Sequence, residues 1–155
     1  MKHNVLMKKA IELSVKNAEN SGGPFGAVIT KNGEIVAESV NRVTIDNDPT
    51  AHAEILAIRE AAKRLKTFDL SGCIIYCSCE PCPMCLGAIY WARLDKIYYA
   101  CTRSDAKDHG FDDDYLYKEI NLSIGKREIP FNQLLRKDAL EAFSKWEKNG
   151  KKTLY

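Results

Sequence analysis

The chain has 155 residues, 45% hydrophobic and 28% charged, which suits one soluble globular domain with a real core. No apolar run approaches the roughly 18 residues of a membrane span, which argues against a membrane protein. The formal net charge is only +2, and acids are interleaved with most of the basic residues of the second half, which argues against a nucleic-acid partner and for a small-molecule substrate.

Residues 3–20 carry apolar side chains at helical spacing, among them Leu6, Ala10 and Leu13. Lys2, Asn4, Lys8, Lys9 and Glu12 interrupt any signal-peptide core, so the expected compartment is the cytoplasm. The helix meets a breaker cluster at Asn20-Ser21-Gly22-Gly23-Pro24. Two strand-like runs follow, 25–30 and 34–40, around Lys31-Asn32-Gly33, and Asn-Gly is a strong hairpin signal. A polar loop over 41–49 leads into a helix over 50–65, with Ile55, Leu56, Ile58, Ala62 and Leu65 as its expected inward face. The run 73–77 is short and apolar enough for a buried strand, and it turns at Glu80-Pro81 into a helix over 82–93. Residues 97–101 look like another buried strand. The acidic stretch 104–115 reads as loop, 117–130 as irregular with one short strand, and 138–148 as a final amphipathic helix bearing Leu140, Phe143 and Trp146. A helix, a hairpin and then strand–helix–strand–helix predict a single α/β domain with a mixed sheet.

Six cysteines without a secretion signal point to metal or catalytic roles rather than a disulfide framework. Cys82 and Cys85 share a helix face at a helix N-terminus, where the backbone dipole favours thiolate over thiol. His52 stands at a second helix start. One imidazole and two thiolates make three zinc ligands, leaving a fourth position for water. A structural zinc would need a fourth protein ligand, such as Cys79; a redox Cys-x-x-Cys would leave His52 unexplained. Two thiolates cancel the charge of a zinc ion, so its water should be less acidic than at an all-histidine site. Glu54, two residues from His52, is placed to take that water's proton and deliver it to a leaving group. Its ordinary reading is a helix N-terminal acid favoured by the dipole.

His-x-Glu followed by Pro-Cys-x-x-Cys is the signature of zinc nucleobase deaminases, complete here in His52-Ala53-Glu54 and Pro81-Cys82-Pro83-Met84-Cys85. Over about residues 20–105 the chain resembles the cytidine-deaminase-like superfamily. Within it, the resemblance to the small bacterial guanine deaminases runs almost end to end. The stretches that carry it are Gly22-Gly23-Pro24-Phe25-Gly26-Ala27-Val28, Asn47-Asp48-Pro49-Thr50-Ala51-His52-Ala53-Glu54, and Ser78-Cys79-Glu80-Pro81-Cys82 through Arg93. Further on, Gly110-Phe111-Asp112-Asp113, Tyr117-Lys118-Glu119-Ile120 and the C-terminal Tyr155 choose the branch.

The resemblance implies a three-layer α/β/α fold with a central mixed sheet. It implies one zinc per subunit on His52, Cys82 and Cys85, and hydrolysis of guanine to xanthine and ammonia in purine catabolism. Attack falls on C2 of the base, with Glu54 moving protons to a ring nitrogen and then the amine. Asn41 hydrogen-bonds the base, Phe25 packs against its ring, and Asp113 and Tyr155 complete the pocket. It also implies a homodimer whose C-terminal segment, about residues 131–155, is exchanged between subunits. By residue type alone these positions have plainer readings. Asn41 suits a turn, Phe25 a core, Asp113 a solvated acidic turn, and Tyr155 a frayed end. A tRNA adenosine deaminase, a cytosine-type deaminase and a non-catalytic zinc-stabilised domain share parts of the pattern.

Overall fold

A computed structural model describes residues 2–155, and the chain divides into two compact units, Met1–Tyr117 and Lys118–Tyr155. The first unit opens with α1 (Lys2–Glu19), then the hairpin of β1 (Gly26–Lys31) and β2 (Glu34–Val40). Asn32 and Gly33 both take positive φ, 51° and 80°, as the tight turn between right-twisted strands demands. A short α2 (Val43–Asp46) interrupts the expected polar loop before α3 (Ala53–Leu65). Then come β3 (Cys73–Cys79), α4 (Pro83–Trp91), β4 (Lys96–Cys101), α5 (Arg103–Asp108) and α6 (Asp113–Asn121).

The sheet order is β2-β1-β3-β4. β1 pairs antiparallel with β2 and with β3, while β3 and β4 are parallel, joined by the crossover through α4. Alternate residues of the central strands feed two separate cores. Ala27, Ile29, Cys73, Ile75 and Cys77 pack with Ala53, Ala57, Ala61 and Ile89 on one face. Val28 and Tyr76 pack with Leu6 and Ala10 of α1 on the other. Helices therefore cover both faces of a mixed sheet, the α/β/α layering expected. Burying a side chain such as Ile29 or Ile75 contributes about 1.5–3 kcal/mol.

Several local expectations need correction. The buried residues of α3 are Ala53, Glu54, Ala57 and Ala61, not its larger apolar residues. Small side chains let this helix lie close to the sheet, and Ile58, Ala62 and Leu65 pack from the flank half-buried. β4 is an edge strand with Tyr99, Ala100 and Cys101 exposed, because it pairs with β3 alone. Two helices replace the loop expected over 104–115. α5 is started by a capping box in which Thr102 and Asp105 exchange side-chain-to-backbone hydrogen bonds.

The second unit begins inside α6 and holds a 3-10 turn at Ile124–Lys126, in place of the expected short strand, and α7 (Arg136–Lys148). The Arg127 guanidinium donates to the carbonyls of Ile120 and Leu122 and stands 5.2 Å over the Phe131 ring. No residue of this unit is buried, and Ile129, Leu134, Leu135 and Phe143 are largely exposed.

Candidate active site

His52 and Cys82 are the N-cap residues of α3 and α4, each in extended backbone conformation. An N-cap side chain ordinarily accepts a hydrogen bond from its own helix. Neither does so here, which leaves the imidazole and the thiol for another partner. Cys85 follows on the first turn of α4 with 0% exposure. Pro83 starts that helix where its missing N–H costs nothing.

The ligand atoms of His52, Cys82 and Cys85 lie within 4.8 Å of one another, and no other His, Cys, Asp or Glu joins them among the described residues. His52 Nδ1 is 3.6 Å from Cys82 Sγ and 3.5 Å from Cys85 Sγ. A tetrahedral zinc with bonds of about 2.3 Å to sulfur and 2.0–2.1 Å to nitrogen sets those atoms about 3.6 Å apart. The spacings are thus the edges of a zinc tetrahedron, and the soft donors suit that ion. Hydrogen bonding from Cys85 and from His52 pulls the Cys82 thiol down to about 4, while the Cys85 thiol, donating to Cys82 and buried, is pushed up. His52 is raised chiefly by its bond to Cys82.

Cys79 stays outside this group. Its thiol faces the Thr102 carbonyl at 3.6 Å and burial pushes it up to about 12, so it remains a thiol. Three protein ligands without a fourth leave an open coordination position, the mark of a catalytic rather than a structural zinc.

Glu54 sits one residue into α3, 7% exposed, and accepts from the Cys85 thiol at 3.5 Å. Burial pushes its carboxyl up. A carboxyl buried beside an open metal position is equipped to take and return a proton.

These groups open onto a cavity of about 460 Å³, within the usual range for small-molecule sites. Its wall includes His52, Glu54 and Cys82 with Phe25, Asn41 and Asp113, so six of the residues singled out from the sequence converge. The Phe25 ring is held edge-on by Phe111, centroids 4.8 Å apart. Asn41 is 7% exposed, and its Oδ1 accepts from the Val43 N–H at 3.1 Å. That bond assigns the carboxamide's orientation and leaves its NH2 as the donor for the cavity. Asp113 begins α6; burial pushes its carboxyl up, with Cys82 and Glu80 adding to the effect. Tyr155 belongs to the second unit, where its ring packs edge-on to Trp146 at 6.3 Å.

Sequence reasoning passed over Glu80, which also lines the cavity. Its Oε2 accepts from the Arg103 N–H at 2.9 Å, and the Arg103 guanidinium lies 4.5 Å over the Tyr117 ring. The Tyr117 hydroxyl in turn donates to the Pro81 carbonyl at 2.7 Å, next to the ligand Cys82. Only the place of Glu80 beside Pro81-Cys82 hinted at this brace; its other members come from later helices.

Residues 1–101 match the family model for the cytidine and deoxycytidylate deaminase zinc-binding region. The chain is 49% identical to a guanine deaminase of Bacillus subtilis (strain 168) over 156 aligned positions, covering 100% of both. It superposes on the X-ray structure of guanine deaminase from Bacillus subtilis with a TM-score of 0.96 and 49% identity, covering 100% of this chain and 99% of that one. A tRNA-specific adenosine deaminase of Aquifex aeolicus (strain VF5) is 41% identical over 104 residues, 67% of each chain.

Proposed function

The chain belongs to the cytidine and deoxycytidylate deaminase zinc-binding family, and from that premise we propose that it hydrolyses guanine to xanthine and ammonia. The observation that carries the substrate is the extent of likeness. The guanine deaminase matches along the whole chain at 49% identity, whereas tRNA-specific adenosine deaminases match either over two thirds of it at 41% or over 92% of it at only 31%. The cavity supports the same reading. Guanine offers acceptors at O6 and N7 and donor N–H groups. The Asn41 NH2 suits an acceptor, the Asp113 carboxylate suits a donor, and the Phe25 ring gives the base an apolar wall.

Zinc, when bound by His52, Cys82 and Cys85, supplies an acidified water. Glu54 would carry two protons in turn: one from the attacking water to a ring nitrogen, then the one left on the new C2 hydroxyl to the amine, which leaves as ammonia. Atoms balance as guanine plus water giving xanthine plus ammonia. The test is an ammonia-release screen over guanine, adenine, cytosine, cytidine and tRNA, with zinc measured in the same preparation. Ammonia from guanine alone supports the assignment, and release only from tRNA overturns it.

We also propose that the protein works as a cytoplasmic homodimer whose C-terminal segments, about residues 131–155, exchange between subunits so that Tyr155 caps the partner's pocket. The support is the second unit's exposed apolar side chains and lack of any buried residue, a composition that needs a partner to cover it. All six cysteines are unpaired, in keeping with a reducing compartment, and no helix among the described residues is long and apolar enough to cross a membrane. Deleting residues 151–155 is expected to cut guanine turnover by orders of magnitude while zinc stays bound. An unchanged kcat/KM sinks the exchange.

A further inference from the structure

The first helix looks like scaffold, yet it ends beside the cavity. Asn17, on its last turn, is 9% exposed. Its carboxamide nitrogen donates twice, to the Gly23 carbonyl at 2.7 Å and to the Asn41 carbonyl at 2.8 Å. Those two carbonyls belong to different cavity walls, the loop that carries Phe25 and the end of β2. Its own backbone carbonyl accepts from the Gly22 N–H at 2.8 Å.

The glycine pair between helix and hairpin has its explanation here. A Cβ on Gly22 would meet the Asn17 carboxamide at 2.5–2.7 Å, and one on Gly23 would meet the Asn41 carboxamide at 2.8 Å. Neither glycine takes a positive φ; each clears space for an asparagine side chain. Asn41 is thereby tied at three points. Its N–H donates to the Phe25 carbonyl at 3.1 Å, its carbonyl accepts from Asn17, and its Oδ1 accepts from Val43. What remains is the NH2, on a residue that lines the cavity.

We propose that Asn17 is a positioning residue for substrate recognition: its carboxamide bridges the Gly23 and Asn41 carbonyls and so sets the aim of the Asn41 NH2. This rests on the reading of the cavity as a guanine site. A carboxylate in the same place has no N–H to donate and repels both carbonyls, so Asn17→Asp removes the bridge at nearly unchanged size.

The test is a double-mutant cycle in kcat/KM for guanine on the zinc-loaded protein, using Asn17→Asp, Asn41→Ala and the pair. Guanine turnover by the unaltered protein is measured first; its absence strikes the guanine reading and leaves Asn17 to be judged by the second arm below. With turnover present, Asn17→Asp is expected to lower kcat/KM about tenfold, mostly through KM, with zinc content unchanged. In the Asn41→Ala background it should add less than about twofold. Full additivity, or a normal KM, overturns the proposal, since a merely structural role moves both backgrounds alike. The second arm is Gly22→Ala, which presses on the same carboxamide from the other side. It should weaken binding of 8-azaguanine, followed by calorimetry, in the same proportion as Asn17→Asp. Unaltered binding in both variants overturns the bridge even where turnover cannot be read.

Discussion

The metal half and the base half of the cavity are built by different means. His52, Glu54, Cys82 and Cys85 all stand in the first turns of two helices that pack behind one sheet face. Each is placed by the backbone of an element whose core is buried. Phe25, Asn41 and Asp113 come instead from a loop, a strand end and a helix start. They are held by side-chain contacts reaching far along the sequence, Asn17 to Asn41 and Tyr117 to Pro81 among them. On the proposed reading, the reaction is mounted on buried helix starts, and the choice of substrate on positions that loop and surface changes can alter. A family can keep one chemistry and vary what it acts on when the two are mounted separately.

The sharpest way to break this division is to remove the proton carrier while leaving the ligands alone. Glu54→Gln should lower kcat by about 10³-fold, within the span that general acid–base groups supply. Zinc content measured by atomic absorption should stay at that of the unaltered protein. Loss of metal together with activity would mean that Glu54 belongs to the coordination shell and that the two halves are not separable in this way.

A smaller effect is expected in the base half. A hydrogen bond to a charged group contributes about 1.5–3 kcal/mol, so Asp113→Asn should cost about 10–100-fold in kcat/KM, carried by KM. The sign of its pH dependence follows from burial. The Asp113 carboxyl is raised from 3.8, and only the ionised form accepts fully from the base. Binding should therefore weaken as pH falls, beginning above the usual carboxylate range, with His52, Cys82, Glu80 and Asp112 the nearby charges that set the midpoint. In Asp113→Asn the part of the acid limb of the kcat/KM profile that Asp113 contributes should be lost, leaving the part due to Glu54. A limb that persists unchanged would assign it to another group.

The same division governs how far the chain could be read in advance. His52-Ala53-Glu54 and Pro81-Cys82-Pro83-Met84-Cys85 are local spacings, and local spacing on a helix start dictates geometry. The Asn-Gly hairpin and the two-faced strands were legible for the same reason. β4 was misjudged because an apolar run does not say whether a neighbouring strand exists on both sides. α5 and α6 were hidden by their acidic composition, although Thr102 with Asp105 three residues on is a readable capping box. Asn17 could not have been found from sequence at all. Its importance comes from two carbonyls, one of them 24 positions away, and backbone atoms leave no trace in residue identity.

The mildest test lies where the base half meets its own support. Phe25 and Phe111 form one edge-to-face pair at an interplanar angle of 86°, and both rings also line a second, apolar cavity of about 390 Å³. The pair is thus a partition between that cavity and the substrate pocket. An aromatic pair of this kind contributes about 0.5–1.5 kcal/mol beyond its buried area, and Phe111 is itself 38% exposed. Phe111→Ala should then let the Phe25 ring swing and raise KM for guanine only about 2–10-fold, with kcat and zinc content unchanged. Phe111→Leu, which keeps bulk without the ring edge, should fall between. A drop in kcat would carry the disturbance through to Glu54 and show that the two halves share a wall mechanically as well as spatially.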